Sequence, residues 1–337
     1  NSGIEYARTA RFKKDANDNV RFTPDPNSAI GKANVQPGSS EIDMVGSDFS
    51  YPQVWRSSLA FEARLPWGIR GTLEGMYTKT LNNIRYQDLG LKKTSEIVYP
   101  SGEVRPVYSR QEGNKYSNLI LLSNSNKGYS YNITATLSKD FGHGLDASIA
   151  YTFGESKVAN DGLSSQAASN WKYNYSTDIN GDEFYYSNFD MRHRFVGQLN
   201  YRIEYAKHFA TTIGLIYNGQ SGPRYSILSY TDLNGDGERN DLAYLPEKAT
   251  TDKRSAMSYE DFLAKNPDIA AYKGKIVPRN ALMAPFIHKF DLHFAQDFFL
   301  QVSGKRHTLQ LNADIINVGN LLNRGWGMEP YVNYSSI

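Results

Sequence analysis

The chain has 337 residues and a formal net charge of +2, which gives it no bulk electrostatic basis for binding nucleic acid. It contains no cysteine, which excludes thiol catalysis, disulfides and cysteine-ligated zinc. No apolar run reaches the roughly 18 residues of a membrane-spanning helix, but a β-barrel strand needs only about 9–11 residues of alternating polarity. The first residue is Asn1, so we expect a mature or partial chain.

Period-two alternation of apolar and polar residues dominates the chain and predicts about eight β-strands. In the third predicted strand, the apolar Ile133, Ala135 and Leu137 are separated by threonines. The predicted strands, in chain order, are 59–65, 69–77, 129–138, 145–153, 195–203, 209–217, 290–298 and 309–315.

The connections between these strands alternate between short and long. Short turns join the strands in pairs near Pro66–Gly68, Phe141–Gly144, Ala206–His208 and Ser303–Lys305. The connections between pairs are the long polar stretches 79–127, 155–188 and 218–288. Short turns at one end and long loops at the other are typical of an outer-membrane β-barrel. We therefore divide the chain into an extracellular polar lead-in, 1–53, and an antiparallel transmembrane β-barrel part, 54–337.

Aromatic residues gather at both ends of the predicted strands, as in the two girdles of a membrane barrel. One group lies near the short turns and the other toward the long loops: Trp67, Phe141, Tyr205, Phe209 and Phe299, and then Tyr77, Tyr129, Tyr151, Phe153 and Tyr217. A soluble β-sandwich with an aromatic core is the alternative, but it explains neither the girdles nor the unequal connections. The opposite face carries charges of both signs, which fits a wet or plugged barrel interior: Glu62, Arg64, Arg70, Glu74, Arg202 and Asp314.

Four ordered stretches resemble the C-terminal half of the barrel in TonB-dependent outer-membrane receptors, and most of all the Oar-like group. They are 189–195 (FDMRHRF), 232–246 (DLNGDGERNDLAYLP), Arg279-Asn280 with Pro285 and 290–292 (FDL), and 317–323 (NVGNLLN) with Trp326-Gly327. The combination covers most of the chain and is densest over 189–327.

The resemblance implies a barrel of about 22 strands, of which this chain would supply about eight. It implies uptake of a nutrient, or surface adhesion of Oar-like type, in the bacterial outer membrane, with partners in the membrane lipid, an energising TonB-type complex and an unknown extracellular ligand. The family's plug domain and TonB box have no counterpart in these residues, so we expect part of a longer chain. A complete small barrel with a structural or adhesive role and a secreted, calcium-stabilised β-sandwich remain alternatives.

The stretch 232–241 alternates acidic and amide side chains in the manner of a calcium loop. Asp232, Asn234, Asp236, Glu238 and Asp241 are the candidate ligands. An EF-hand would need a glutamate at its twelfth position, and that position is Ala243, with extended flanks in place of helices. Calcium is the one candidate cofactor, and a turn held by Asx side chains is the alternative.

A weaker copy of this pattern, DINGDE, occupies 178–183, and a loop tip is its alternative interpretation. The capping box at Ser258 predicts a short helix that continues to Tyr272. The loop tyrosines suit contact with a sugar or a peptide. The six histidines are scattered without zinc-ligand spacing, and no nucleophile elbow, P-loop or dinucleotide fingerprint occurs. We therefore expect no enzyme.

Overall fold

The structure is a computed structural model and describes residues 41–112, 116–248 and 258–330. Within these ranges the strands are β1 (Ile42–Val45), β2 (Gln53–Arg64), β3 (Arg70–Asp88), β4 (Leu91–Val98), β5 (Val104–Arg110), β6 (Leu119–Ser125), β7 (Gly128–Gly142), β8 (Leu145–Val158), β9 (Tyr185–Tyr186), β10 (His193–Tyr205), β11 (Phe209–Gln220), β12 (Arg224–Tyr225), β13 (Leu282–Met283), β14 (Ile287–Val302) and β15 (Lys305–Ile315). The helices are α1 (Ala167–Lys172), α2 (Tyr259–Lys265) and α3 (Pro267–Ala270). None of the described helices is long and apolar enough to cross a membrane.

Eight long strands form one antiparallel sheet in the order β2-β3-β7-β8-β10-β11-β14-β15. Each of these strands therefore pairs with the next one along the chain, as in an up-and-down barrel. All eight predicted segments coincide with these strands, although the strands extend beyond the predicted ends. β3, for example, continues to Asp88, well past the predicted end at residue 77.

The short turns between these strands adopt the left-handed backbone that tight hairpins favour. Ala206 and Lys207, with φ of 51° and 61°, occupy the turn between β10 and β11 without any glycine. Ser303 and Gly304, with φ of 52° and 76°, do the same between β14 and β15. Positive φ at both central residues matches the right-handed twist of the flanking strands. These two tight turns therefore form with non-glycine residues in the left-handed conformation.

The faces of the sheet are reversed relative to a soluble protein. In β7, Ile133 and Leu137 are exposed, whereas Thr134 and Thr136 between them are half-buried. Thr134 hydrogen-bonds Thr152 of β8 at 2.9 Å between their hydroxyl oxygens. Every strand contributes exposed apolar side chains to the same face: Leu59, Leu73, Ile133, Ile149, Leu199, Leu215, Phe294 and Leu309. An exposed apolar band with a polar opposite face fits a membrane sheet.

The polar face carries a network of ion pairs near the short turns. Arg202 of β10 donates from Nη1 to Asp297 of β14 at 2.8 Å, and Gln310 of β15 donates to the other carboxylate oxygen at 2.7 Å. Arg306 lies 3.4 Å from the Glu204 carboxylate. The network links three strands, and Arg202 was a predicted member of this face. Asp297 is its centre and was not singled out from the sequence.

The aromatic girdle near the short turns differs from its prediction at one residue. Phe298, and not Phe299, lies on the apolar face, where its ring packs edge-on against Phe209 with centroids 5.7 Å apart. Phe299 is 8% exposed on the opposite face, with the Arg306 guanidinium 3.4 Å above its ring. The register of β14 on β11 decides which of the two phenylalanines lies on the apolar face, because neighbouring residues of a strand face opposite sides.

Both edges of the eight-stranded sheet are open. β2 pairs only with β3, and β15 pairs only with β14, among the residues that the structure describes. Both edge strands are exposed along nearly their whole length, and they carry apolar side chains such as Phe61 and Leu311. The sheet is thus not closed into a barrel by these eight strands.

The connection 79–127, which we predicted as a polar loop, contains further strands. β3 extends into it, β4 and β5 form a hairpin, and β6 pairs with the end of β3. β1, within the predicted lead-in 1–53, pairs in parallel with β6, while residues 1–40 of that lead-in lie outside the described residues. β1 and β6 therefore extend the main sheet above the membrane band, whereas β4 and β5 form a separate two-stranded sheet.

Candidate functional site

The long connections fold into a layer with its own hydrophobic cores. We call it the loop layer, and it comprises the described residues within 83–127, 159–192 and 221–286. Three buried clusters hold it together, built around Trp171 and Ile120, around Val277 and Leu282, and around Leu242. Trp171 is 1% exposed and also donates from its ring N–H to the Asn180 side-chain oxygen at 3.0 Å. The connections are therefore a packed structure positioned by the sheet below.

The helix predicted from Ser258 is present as two short helices. The Ser258 hydroxyl accepts a hydrogen bond from the Asp261 backbone N–H at 3.1 Å, which caps α2 as the sequence indicates. α2 ends at Lys265, and α3 starts at Pro267. The interruption follows from Pro267, because proline disfavours helical backbone in the residue before it. Leu263 and Ile269 bury this segment in the loop layer.

The first candidate calcium stretch, residues 232–241, is here called the Asp232 loop. Its carboxylates are occupied by hydrogen-bond donors of the protein. Asp232 accepts from the backbone N–H groups of Gly235 and Gly237 at 2.6 and 2.9 Å. Asp236 accepts from the Glu238 N–H at 2.7 Å and from the Asn234 side-chain amide at 3.2 Å. The side chains predicted as ligands therefore hold the turn itself.

Asp241 closes the Asp232 loop from within the loop layer. One of its oxygens accepts from the Leu233 N–H at 2.7 Å, and the other accepts from Arg105 Nη1 of β5 at 2.6 Å. Both charged side chains are fully buried. Burial raises the pKa of Asp241, and the Arg105 charge opposes that rise. Burial also raises the pKa of Asp236, to about 6.

The last predicted ligand, Glu238, pairs with α1 instead of turning inward. Its carboxylate lies 2.5 Å from Lys172 Nζ, and the neighbouring Asn240 donates to the Lys172 carbonyl at 3.0 Å. Among the described residues, no group of three histidine, aspartate or glutamate side chains could hold a metal ion. Calcium at Asp232, Asn234, Asp236, Glu238 and Asp241 stays a prediction, and an ion there would share these oxygens with the donors just described.

The weaker copy of the pattern, residues 178–183, is here called the Asp178 loop. Asp178 Oδ1 accepts from the Tyr108 hydroxyl at 2.5 Å and from the Asn180 N–H at 3.1 Å. Glu183 Oε2 accepts from the Thr177 N–H at 3.1 Å and from the Tyr185 hydroxyl at 2.5 Å. Each of these two carboxylates uses one oxygen to hold the loop.

One residue of β5 connects the two acidic loops. The Tyr108 side chain reaches Asp178, while its backbone N–H donates to the Asn234 carbonyl at 2.6 Å. A Cβ atom on Gly235 would lie 2.4 Å from the Tyr108 carbonyl oxygen, so the Asp232 loop can approach this closely only with glycine there. Burial, together with the Asp178 carboxylate, raises the pKa of Tyr108. The two loops therefore pack on one strand.

The loop tyrosines differ in accessibility, and only some can meet a ligand. Tyr185 is half-buried and bonded to Glu183, and Tyr186 is half-buried with the Arg224 guanidinium 3.8 Å above its ring. Tyr173 and Tyr230 are 55% and 61% exposed. A cation accompanies each of the exposed rings, Lys172 in one case and Arg239 in the other. These two are the most exposed of the described tyrosines in the loop layer.

An antiparallel sheet with an exposed apolar face, short turns below and a folded loop layer above defines a strand-built membrane protein. The chain belongs to the outer membrane beta barrel domain family, which it matches over residues 4–326. It is therefore a protein of the bacterial outer membrane, and its predicted location and lipid environment are confirmed.

No curated protein matches the chain. Among solved structures, a mutant of the ferric enterobactin receptor from Pseudomonas aeruginosa is similar, with 12% sequence identity and a TM-score of 0.36. The match covers 79% of this chain and 25% of that receptor, so the chain spans about a quarter of the receptor's length.

Proposed function

We propose that the chain forms eight consecutive strands of a larger receptor or transporter barrel, with the loop layer on the extracellular side. The observation that supports the larger barrel is the pair of open edges at β2 and β15. Unpaired backbone groups in hydrocarbon cost several kcal/mol each, so membrane sheets close completely. Neighbouring strands beyond the described ones would satisfy both edges. A complete eight-stranded barrel, closed by pairing β2 with β15, is the competing architecture.

The proposed activity is TonB-dependent uptake of a nutrient, or adhesion of Oar-like type, without catalysis. It rests on the resemblance of 189–195, 232–246 and 317–323 to that receptor group, in which the barrel has about 22 strands. The polar, charged face of the sheet would line the passage, and a TonB-type complex would energise it. The folded loop layer supports a receptor, because a fixed arrangement of loops lowers the entropic cost of ligand capture.

Ligand capture is assigned in this proposal to the exposed rings of Tyr173 and Tyr230. Aromatic faces beside a cation bind flat, polar molecules by stacking and by electrostatic attraction. Lys172 and Arg239 supply that cation at 5.7 and 5.1 Å from the two rings. This chemistry suits sugars or peptides.

Cross-linking across the edges tests the architecture, because the natural chain has no cysteine to interfere. Leu59→Cys in β2 would be combined in turn with Leu309→Cys, Leu311→Cys and Ile315→Cys in β15, in cells, with a short bis-maleimide. The larger barrel predicts no intramolecular product. The control pair Phe61→Cys and Leu73→Cys, which face each other on β2 and β3, must react. An efficient β2–β15 product would establish the complete small barrel and overturn the proposal.

Energised uptake is tested separately with the protein isolated from outer membranes in detergent. An immobilised periplasmic domain of TonB is expected to retain it, and a peptide carrying the TonB-contacting segment should release it. Retention that the competitor peptide does not release would indicate non-specific adsorption. Failure to bind, with a correctly closed large barrel in the cross-linking experiment, would leave adhesion as the function.

A further inference from the structure

A small polar cavity opens beside the Asp178 loop. It lies between the upper part of β3 and residues Ala159 and Asn160 that follow β8, and residues of the stretch 174–183 line its remaining wall. Polar atoms contribute most of this wall, which differs from the apolar lining of an organic-ligand pocket. The small size suits a water molecule or a single ion.

Two oxygen atoms in this wall are buried without a hydrogen-bond partner. Ser176 is 6% exposed, and its hydroxyl oxygen has no partner among the described residues. The same holds for Asp182 Oδ1, while the other oxygen of Asp182 lies 3.7 Å from Lys127 Nζ. Because an unpaired buried polar group costs about 1–3 kcal/mol, such atoms indicate that something else occupies the space.

The carboxylates of the cavity also have unused coordination capacity. Asp178 and Glu183 each hold the loop with a single oxygen, and their second oxygens accept no hydrogen bond from the residues that the structure describes. Arg85 is the cation in the wall, and its guanidinium is directed to the carbonyl oxygens of Asn180 and Gly181. Unpaired acceptors thus outnumber donors, which favours a cation over an anion.

From these observations we infer that the cavity beside the Asp178 loop binds one calcium ion, held by the hydroxyl of Ser176, carboxylate oxygens of the loop and water. Calcium accepts hydroxyl, carbonyl, carboxylate and water oxygens in irregular arrangements, whereas magnesium requires a near-ideal octahedron. A mixed set is required here, since no three acidic side chains are placed to hold a metal on their own among the described residues. The ion gives Ser176 and Asp182 their missing partner.

The test is calcium titration of the detergent-solubilised protein isolated from outer membranes, followed by calorimetry and by terbium luminescence. Saturable binding of one ion is expected, and Asp182→Asn and Ser176→Ala should each weaken calcium affinity by about tenfold or more. Both substitutions change the side-chain volume little. Circular dichroism checks that the variants are folded, and surface labelling checks that Tyr173 and Tyr230 stay accessible. Magnesium should bind more weakly than calcium.

Asp236→Asn in the Asp232 loop is the matched control, because that carboxylate already has protein donors on both oxygens. Its calcium affinity should stay within about twofold of the natural protein. Absence of heat and luminescence at millimolar calcium would show a water-filled cavity and overturn the inference. Loss of binding in Asp236→Asn, with unchanged binding in Ser176→Ala, would also overturn it by moving the ion to the Asp232 loop.

Discussion

The Asp178 and Asp232 loops share the pattern D-x-N-G-D, yet their side chains are used differently. In the Asp232 loop, both oxygens of Asp232, Asp236 and Asp241 accept hydrogen bonds from the protein. In the Asp178 loop, oxygens stay unpaired and face a cavity. The loop that resembles a calcium site more closely is thus the one whose aspartate oxygens are all hydrogen-bonded within the protein.

One residue explains part of this difference. Gly237 follows the second aspartate of the Asp232 loop, adopts φ of 91° and donates its N–H to Asp232. Glu183 occupies the equivalent place in the Asp178 loop, where a side chain disfavours that backbone. Without this donor the first aspartate of the Asp178 loop keeps an unused oxygen. Sequence patterns of acidic residues therefore need their donors identified before a metal is assigned.

The largest expected effect comes from removing the buried cation that closes the Asp232 loop. Arg105→Met keeps much of the side-chain volume but leaves Asp241 buried and unpaired, so we expect a loss of about 3–5 kcal/mol in stability of the loop layer. This loss is measured as the rate at which proteinase K releases peptides of 221–286 from intact cells. The Asp178 loop should be affected less.

Lys93→Met is the control for this change, because Lys93 pairs with Glu96 in an exposed ion pair on the same hairpin. Exposed pairs contribute about 0–1 kcal/mol, so its digestion rate should match that of the natural protein. Equal digestion of both variants would mean that the Arg105–Asp241 pair is not what fastens the Asp232 loop to β5.

A second comparison uses two glycines of the Asp232 loop. Gly235→Ala places a Cβ 2.4 Å from the Tyr108 carbonyl oxygen, whereas Gly237→Ala meets no atom within 4 Å. Both need positive φ, at 74° and 91°, so each should lose about 1–2 kcal/mol. The clash should add about 1–3 kcal/mol to Gly235→Ala alone. Thermal unfolding of the loop layer ranks the two, and equal losses would contradict the close packing on β5.

The strands could be predicted because their signal is local. Period-two alternation at Ile133, Ala135 and Leu137 is visible in any short window, and it locates all eight strands of the sheet. Which side chains meet across neighbouring strands depends on the strand register, and a short segment of sequence does not contain that information. Phe298 and Phe299 are both aromatic at a strand end, and only the pairing of Phe298 with Phe209 decides which one joins the girdle.

The loop layer could not be predicted in the same way, since its contacts join distant parts of the chain. Arg105 and Asp241 are 136 residues apart, and Trp171 packs against Leu91 and Ile120 without a periodic pattern. The aspartates and glycines of the Asp232 loop indicate its turn, which the Asp232 and Asp236 side chains hold, while calcium there stays a prediction. The partners of the Asp232 loop, Arg105, Tyr108 and Lys172, could not be predicted from the sequence. Ser176 was not predicted either, because a single serine carries no sequence signal.

The smallest expected effect separates the two loops at their shared residue. Tyr108→Phe removes only the hydroxyl that donates to Asp178, and the backbone contact of residue 108 with Asn234 persists. A hydrogen bond to a charged group contributes about 1.5–3 kcal/mol when both partners are buried, and partial exposure of Asp178 should reduce this to about 1–2 kcal/mol. Hydrogen exchange read by mass spectrometry should therefore quicken in peptides covering 176–183 and stay unchanged in those covering 232–241. Equal acceleration in both would mean that the loop layer opens as one cooperative unit, so that the difference between the loops concerns ion binding and not local stability.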